Sequence, residues 1–137
     1  MPFVVDNSVV AGWHFGGQAT PYTEAALDRL VDDIAHAPAL WPLEFSNVLR
    51  KALTGKKIDA ARAQEILRFQ AELSVVVHGG TVDPAENLAL ALRHNLSSYD
   101  AAYLDLALRL QLPIATQDAA LRDAALASGV GVWKESA

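Results

Sequence analysis

Four carboxylates stand where the sequence pattern changes type: Asp6, Glu44, Asp100 and Asp118. Each has an ordinary structural reading. Asp6 ends a β-branched run and can cap a helix that follows it. Glu44 lies in a first helical turn, where the helix dipole favours negative charge. Ser97-x-x-Asp100 reads as a capping box, and Asp118 as an N-cap after a strand. For any one of them alone, the structural reading is the better one.

Taken together they describe a chemistry. In an open parallel sheet, ligands bind beyond the carboxyl ends of the strands, where the next helices begin. Asp6 closes a strand, Glu44 opens a helix just after one, and Asp118 follows Ile114-Ala115-Thr116. Asp100 begins the helix that leads into that same strand. Converging carboxylates repel one another and need a cation to remain ionised together. The sequence has no cysteine, and His14, His36, His78 and His94 are dispersed without ligand-like spacing. Oxygen-only donors of this kind point to Mg²⁺ or Mn²⁺ rather than zinc. Such an ion activates a water and offsets charge on a phosphoryl group, so the set suits phosphodiester hydrolysis.

The elements that must position these acids follow from periodicity. Pro2 to Asp6 reads as a buried strand and Tyr22 to Ala35 as a helix entered at Thr20-Pro21. Ala37 to Trp41 reads as a second strand ended by Pro42, and Leu43 to Leu53 as a helix with Gly55 beyond its end. Ile58 to Leu73 is helical from about Asp59, and Ser74 to Val77 is a strand. Asp83-Pro84-Ala85-Glu86 opens a helix running to about Asn95, with Asp at the cap and Pro at the first helical position. Ser98 to Leu110 is a further helix, Pro113 to Thr116 a strand, Ala119 to Ala127 a helix, and Gly131 to Trp133 a last strand. Strands alternating with helices imply an α/β layered fold with a mainly parallel sheet, in one domain spanning residues 1–137.

Bulk properties set limits on partners and location. Apolar residues make up 52% and charged residues 20%, which leaves apolar surface beyond the needs of a core. Absence of cysteine fits a reducing cytoplasm. The first residues lack a basic region and a long apolar run, and no run approaches a bilayer span, so a soluble cytoplasmic protein with no membrane association is expected. The net charge of −5 argues against a general nucleic-acid binder. However, Arg50, Lys51, Lys56, Lys57, Arg62 and Arg68 crowd one stretch and as a group offer phosphates a local positive surface.

The segments Val4-Val5-Asp6-Asn7-Ser8, Pro42-Leu43-Glu44-Phe45-Ser46-Asn47-Val48-Leu49, Ser98-Tyr99-Asp100-Ala101-Ala102-Tyr103-Leu104 and Thr116-Gln117-Asp118-Ala119-Ala120-Leu121 resemble the four motifs of PIN domains. They occur in the family's order and span nearly the whole chain. The resemblance implies a three-layer α/β/α fold and a metal-dependent endoribonuclease. It makes Asp6, Glu44, Asp100 and Asp118 the catalytic, metal-binding acids, with Ser8 and Thr116 as polar supports and Asn47 as an amide near the site. The compact size is similar to VapC toxins of VapBC toxin–antitoxin pairs. That likeness implies an RNA substrate, a small VapB-like antitoxin that covers the site, and Mg²⁺ or Mn²⁺. The surplus apolar surface leads to the expectation of a homodimer.

Other readings are weaker. A haloacid-dehalogenase-like phosphatase needs a second Asp where Ser8 stands, and a receiver domain needs an acid where the chain has His78-Gly79. An inactive binding module of the same fold would carry a degraded acidic set, and here the set is complete. An RNA-processing role outside a toxin–antitoxin pair stays open. Asp105 lies about 140° round the helix from Asp100 and reads as a support or solvated residue. Trp13 and Phe15 follow the first motif closely enough to reach the mouth of the site.

Overall fold

The computed structural model describes residues 1–135; Ser136 and Ala137, the end of the expected domain, lie outside the described residues. Four strands, β1 (Phe3–Val5), β2 (Ala35–Pro38), β3 (Val75–His78) and β4 (Ile114–Ala115), form a sheet in the order β3-β2-β1-β4. All three pairings are parallel, with Val4 opposite both His36 and Ile114, and His36 opposite Val76. β1 has neighbours on both sides and is fully buried, which is why it reads as an uninterrupted apolar run.

Seven α-helices cover the two faces of the sheet: α1 (Asn7–His14), α2 (Pro21–Arg29), α3 (Trp41–Thr54), α4 (Ala60–Glu72), α5 (Pro84–His94), α6 (Ser98–Leu110) and α7 (Ala119–Ser128). α6 lies against β1, β2 and β4 and is flanked by α5 and α7. α1 contacts α2 and α3, and α3 contacts α4, forming the opposite layer. The architecture is the expected three-layer α/β/α arrangement. No helix is long and apolar enough to cross a membrane among the described residues.

Three local expectations are corrected. α2 stops at Arg29 rather than Ala35. The chain then turns through Val31 to Ile34, where Asp33 binds the N-terminal ammonium at 2.6 Å and accepts from the Ile34 amide. β2 therefore starts at Ala35 and ends at Pro38, while Trp41 opens α3. Pro42 does not end a strand; it occupies the first turn of α3, where its missing N–H costs nothing. The last expected strand shrinks to one bridge, Ile114 with Val132, held by Ile114 N to Gly131 O (3.0 Å) and Trp133 N to Ile114 O (2.9 Å).

The core runs through the sheet between both layers. Phe3 meets Trp133 at 5.0 Å and Trp41 stacks on Phe45 at 5.2 Å. His14 is a buried core residue whose Nε2 pairs with Gln70 Oε1 at 2.7 Å. His36 and His78, distant in sequence, meet across β2 and β3 at 2.8 Å. Trp13 packs its ring on the core and donates to the Thr23 carbonyl at 2.8 Å, so it serves the α1–α2 contact.

Candidate active site

The site forms at the carboxyl end of β1. Asp6 follows the strand and is the N-cap of α1, its Oδ1 accepting from Ser8 N (3.1 Å), Ser8 Oγ (2.6 Å) and Val9 N (3.3 Å). Its Oδ2 accepts from Thr116 Oγ1 at 2.5 Å. The capping reading of Asp6 therefore holds, and the same carboxylate is tied to the end of the neighbouring strand through Thr116. Burial pushes the Asp6 carboxyl up to about 6; the Ser8, Thr116 and Val9 hydrogen bonds oppose that rise, and the nearby Asp100 charge adds to it.

Thr116 follows β4 and joins two acids: its hydroxyl donates to Asp6 and accepts from the Asp118 amide at 3.0 Å. Asp118 is exposed and caps α7, with Oδ2 accepting from Leu121 N at 2.9 Å. Ser8 Oγ also accepts from Gln117 N (2.8 Å), and the Gln117 amide donates to the Ser8 carbonyl (3.1 Å). Thr20 Oγ1 in turn donates to Gln117 Oε1 at 2.9 Å, so the entry of α2 braces the same corner.

Glu44 sits half-buried in the first turn of α3. Its Oε1 accepts from Tyr103 Oη of α6 at 2.5 Å and from Asn7 Nδ2 of α1 at 3.5 Å. Burial raises its carboxyl, the Tyr103 hydrogen bond lowers it, and Asp100 raises it again. Asp100 is placed by the Ser97 cap of α6, whose Oγ accepts the Asp100 amide at 3.1 Å. Burial and the charge of Asp118 raise the Asp100 carboxyl. Asp100 is thus the common electrostatic neighbour of Asp6, Glu44 and Asp118.

These four acids fit a hard divalent cation by donor chemistry. Among the described residues Glu44 Oε2 and Asp118 Oδ1 accept no hydrogen bond, so they remain open as donors. Asn7 Oδ1, beside Glu44, is buried without a partner. No group of three or more His, Asp or Glu residues among the described residues is gathered closely enough to enclose an ion. Burial is the first cause of the raised carboxyls of Asp6, Glu44 and Asp100, and the charge of a neighbouring acid adds to each.

Of the seven residues singled out by sequence, six fall in this corner. Asn47 does not join the hydrogen-bonded set: it is exposed, and its Oδ1 accepts from Arg50 Nε at 3.2 Å. The amide that touches an acid is Asn7. Tyr103, Asn7 and Gln117 were not singled out, although all three lie inside the quoted motif segments. Asp105 points away from the site and pairs with Arg109 at 2.9 Å.

Comparisons with known proteins agree with this layout. A family profile described as "PIN domain" matches residues 3–126. Among solved structures, the crystal structure of PAE2754 from Pyrobaculum aerophilum is similar over 90% of this chain and 87% of that one, with a TM-score of 0.65 and 24% identity. No match was found among the curated proteins.

Proposed function

The chain belongs to the PIN-domain family, a fold generally found in nucleases, and from that premise we propose that it is a metal-dependent endoribonuclease acting as the toxin of a type II, VapBC-like pair. One observation carries the nuclease reading: Asp6, Glu44, Asp100 and Asp118 are electrostatic neighbours at the carboxyl end of the sheet, where Glu44 and Asp118 each keep one carboxylate oxygen free of hydrogen bonds among the described residues. In this reading they would hold Mg²⁺ or Mn²⁺, which supplies an activated water and charge neutralisation at a phosphodiester.

The chain's own residues divide the remaining work. Ser8 and Thr116 fix the Asp6 carboxylate by donating to both of its oxygens. Tyr103 fixes Glu44 through one oxygen and leaves the other without a hydrogen bond among the described residues. Asn47, one turn beyond Glu44 on an exposed helical face, is an amide for the RNA rather than for the acids. With the protein folded around them, these side chains lose little further freedom when an ion and a strand of RNA arrive, which favours catalysis by positioning.

The toxin reading rests on the compact motif arrangement. A small antitoxin would cover the site, and a homodimer would use apolar surface such as Leu88 and Leu92 of α5, which are 58% and 73% exposed. The cytoplasm is the matching location. An RNA-processing role of the same chemistry is the second reading; it differs in partner and substrate, not in the site. The test is cleavage of a mixed RNA pool by the purified chain with and without Mg²⁺ or Mn²⁺, run beside Asp100→Asn.

A further inference from the structure

We propose that the groove between α1 and α3 is a track for single-stranded RNA, in which Lys51 and Lys57 hold backbone phosphates adjacent to the one being cut. This rests on the nuclease reading and adds to it where the strand lies. The groove has a volume of about 400 Å³ and is lined by Asn7, Ser8, Phe15, Val48, Lys51 and Lys57, among others. At one end, Ser8 Oγ binds Asp6 at 2.6 Å and Asn7 Nδ2 reaches Glu44 at 3.5 Å. At the other stand the two lysines. The groove therefore opens onto the acids and leads away from them over positive charge.

Helix geometry and a helix stop place these cations. Glu44, Val48 and Lys51 are four and then three residues apart, so they form one stripe along α3, with Lys51 about 10 Å along the axis from Glu44. The expected stop at Gly55 works differently: Gly55 has φ −80, and Lys56 takes the left-handed conformation at φ 57. Lys56 N bonds Leu53 O at 3.1 Å and Lys57 N bonds Ala52 O at 2.9 Å, a Schellman motif. The turn folds Lys57 back beside the last turns of α3 rather than letting it run on into solvent.

Position separates these lysines from the rest of the basic stretch: Lys51 and Lys57 line the groove, and Arg50, Lys56, Arg62 and Arg68 do not. Arg62 pairs with Glu65 at 3.3 Å, whereas neither Lys51 nor Lys57 forms an ion pair among the described residues. In a chain of net charge −5, two uncompensated cations in one groove beside an acidic centre fit a polyanion whose next phosphate is the reacting one. Phe15, half-buried in the wall, offers a ring for base stacking.

The test uses Asp100→Asn to keep the RNA uncut and follows binding of a fluorescent mixed-sequence single-stranded RNA across a series of KCl concentrations. Lys51→Gln and Lys57→Gln should each flatten the slope of log affinity against log salt by about 0.7, and the pair by about 1.4. Arg93→Gln, a cation on α5 outside the groove and the basic stretch, should leave the slope unchanged. In the active chain the double lysine variant should raise KM by a larger factor than it lowers kcat. An unaltered slope in a double variant whose parent binds and cuts RNA overturns the track alone. Loss of affinity for a protein partner, with RNA binding intact, also overturns it. Failure of the unsubstituted chain to bind or cut any RNA removes the nuclease reading, and the track falls with it.

Discussion

Tyr103 Oη donates to Glu44 Oε1 at 2.5 Å across 59 residues of chain, joining α6 to α3 at the mouth of the site. Tyr103 is 1% exposed, and burial together with the hydrogen bond to Glu44 raises its phenol far above the ordinary range, so it acts as a fixed donor. Without this donor Glu44 would be a half-buried acid with one fewer reason to stay ionised.

Tyr103→Phe keeps the ring and removes only that bond. Hydrogen bonds to charged groups contribute roughly 1.5–3 kcal/mol, so kcat should fall by about tenfold or more. The Glu44 carboxyl should rise further, moving the acidic limb of the pH–rate profile to higher pH. A stability loss with an unmoved profile would assign Tyr103 to packing alone.

Asp6 gives the metal-free protein a pH dependence of definite sign. Its carboxyl moves from the ordinary 3.8 to about 6 on folding, so the folded state holds the proton more tightly. The resulting stabilisation is complete below about 3.8 and is lost as pH rises through about 6, for a difference of about 3 kcal/mol at most. Thermal melting in chelator should therefore show the native chain losing stability relative to Asp6→Asn between about pH 4 and pH 7. Added Mg²⁺ should restore stability at neutral pH to the native chain and not to the variant. Parallel pH curves for the two proteins would refute the assignment.

Thr116→Val is nearly isosteric and removes the donor to Asp6 Oδ2 and the acceptor for the Asp118 amide together. Outer-shell partners of this kind typically change metal affinity or activity by about 10–100-fold. Calorimetric titration with Mn²⁺ should show the weakening. Undiminished affinity would make the Thr116 hydroxyl a purely structural link.

Gly12→Ala tests the brace behind the site. A Cβ there would come within 2.5 Å of Thr23 Cγ2, in a side chain that is completely buried. Thr23 and Thr20 form the capping box of α2, and Thr20 also holds Gln117. Overpacking of this sort costs typically 1–3 kcal/mol, so chemical denaturation should show a loss in that range.

The acids were legible because each ends or begins an element, and a carboxylate has a local reason to stand there. The caps at Asp59, Asp83 and Ser97 and the bodies of α4, α5 and α6 were legible for the same local reasons. α1 was not read as an element beyond its cap, because Val9-Val10-Ala11-Gly12 has poor helix propensity and is held by packing on α2 and α3. The start of β2 was missed because its alternation is carried by alanines, whose burial depends on the helices above. Gln117 reaches Ser8 across 109 residues, and His36 reaches His78 across 42, so no local pattern announces either contact.

The most direct measurement is cleavage of a mixed RNA pool by the partner-free chain in Mg²⁺, in Mn²⁺ and in chelator, beside Asp100→Asn. Asp100 is the residue whose charge bears on the other three acids, and Asn keeps its shape while removing that charge. The account predicts internal cuts that require the metal and vanish in the variant. Cutting that persists in Asp100→Asn, or that proceeds unchanged in chelator, would contradict it.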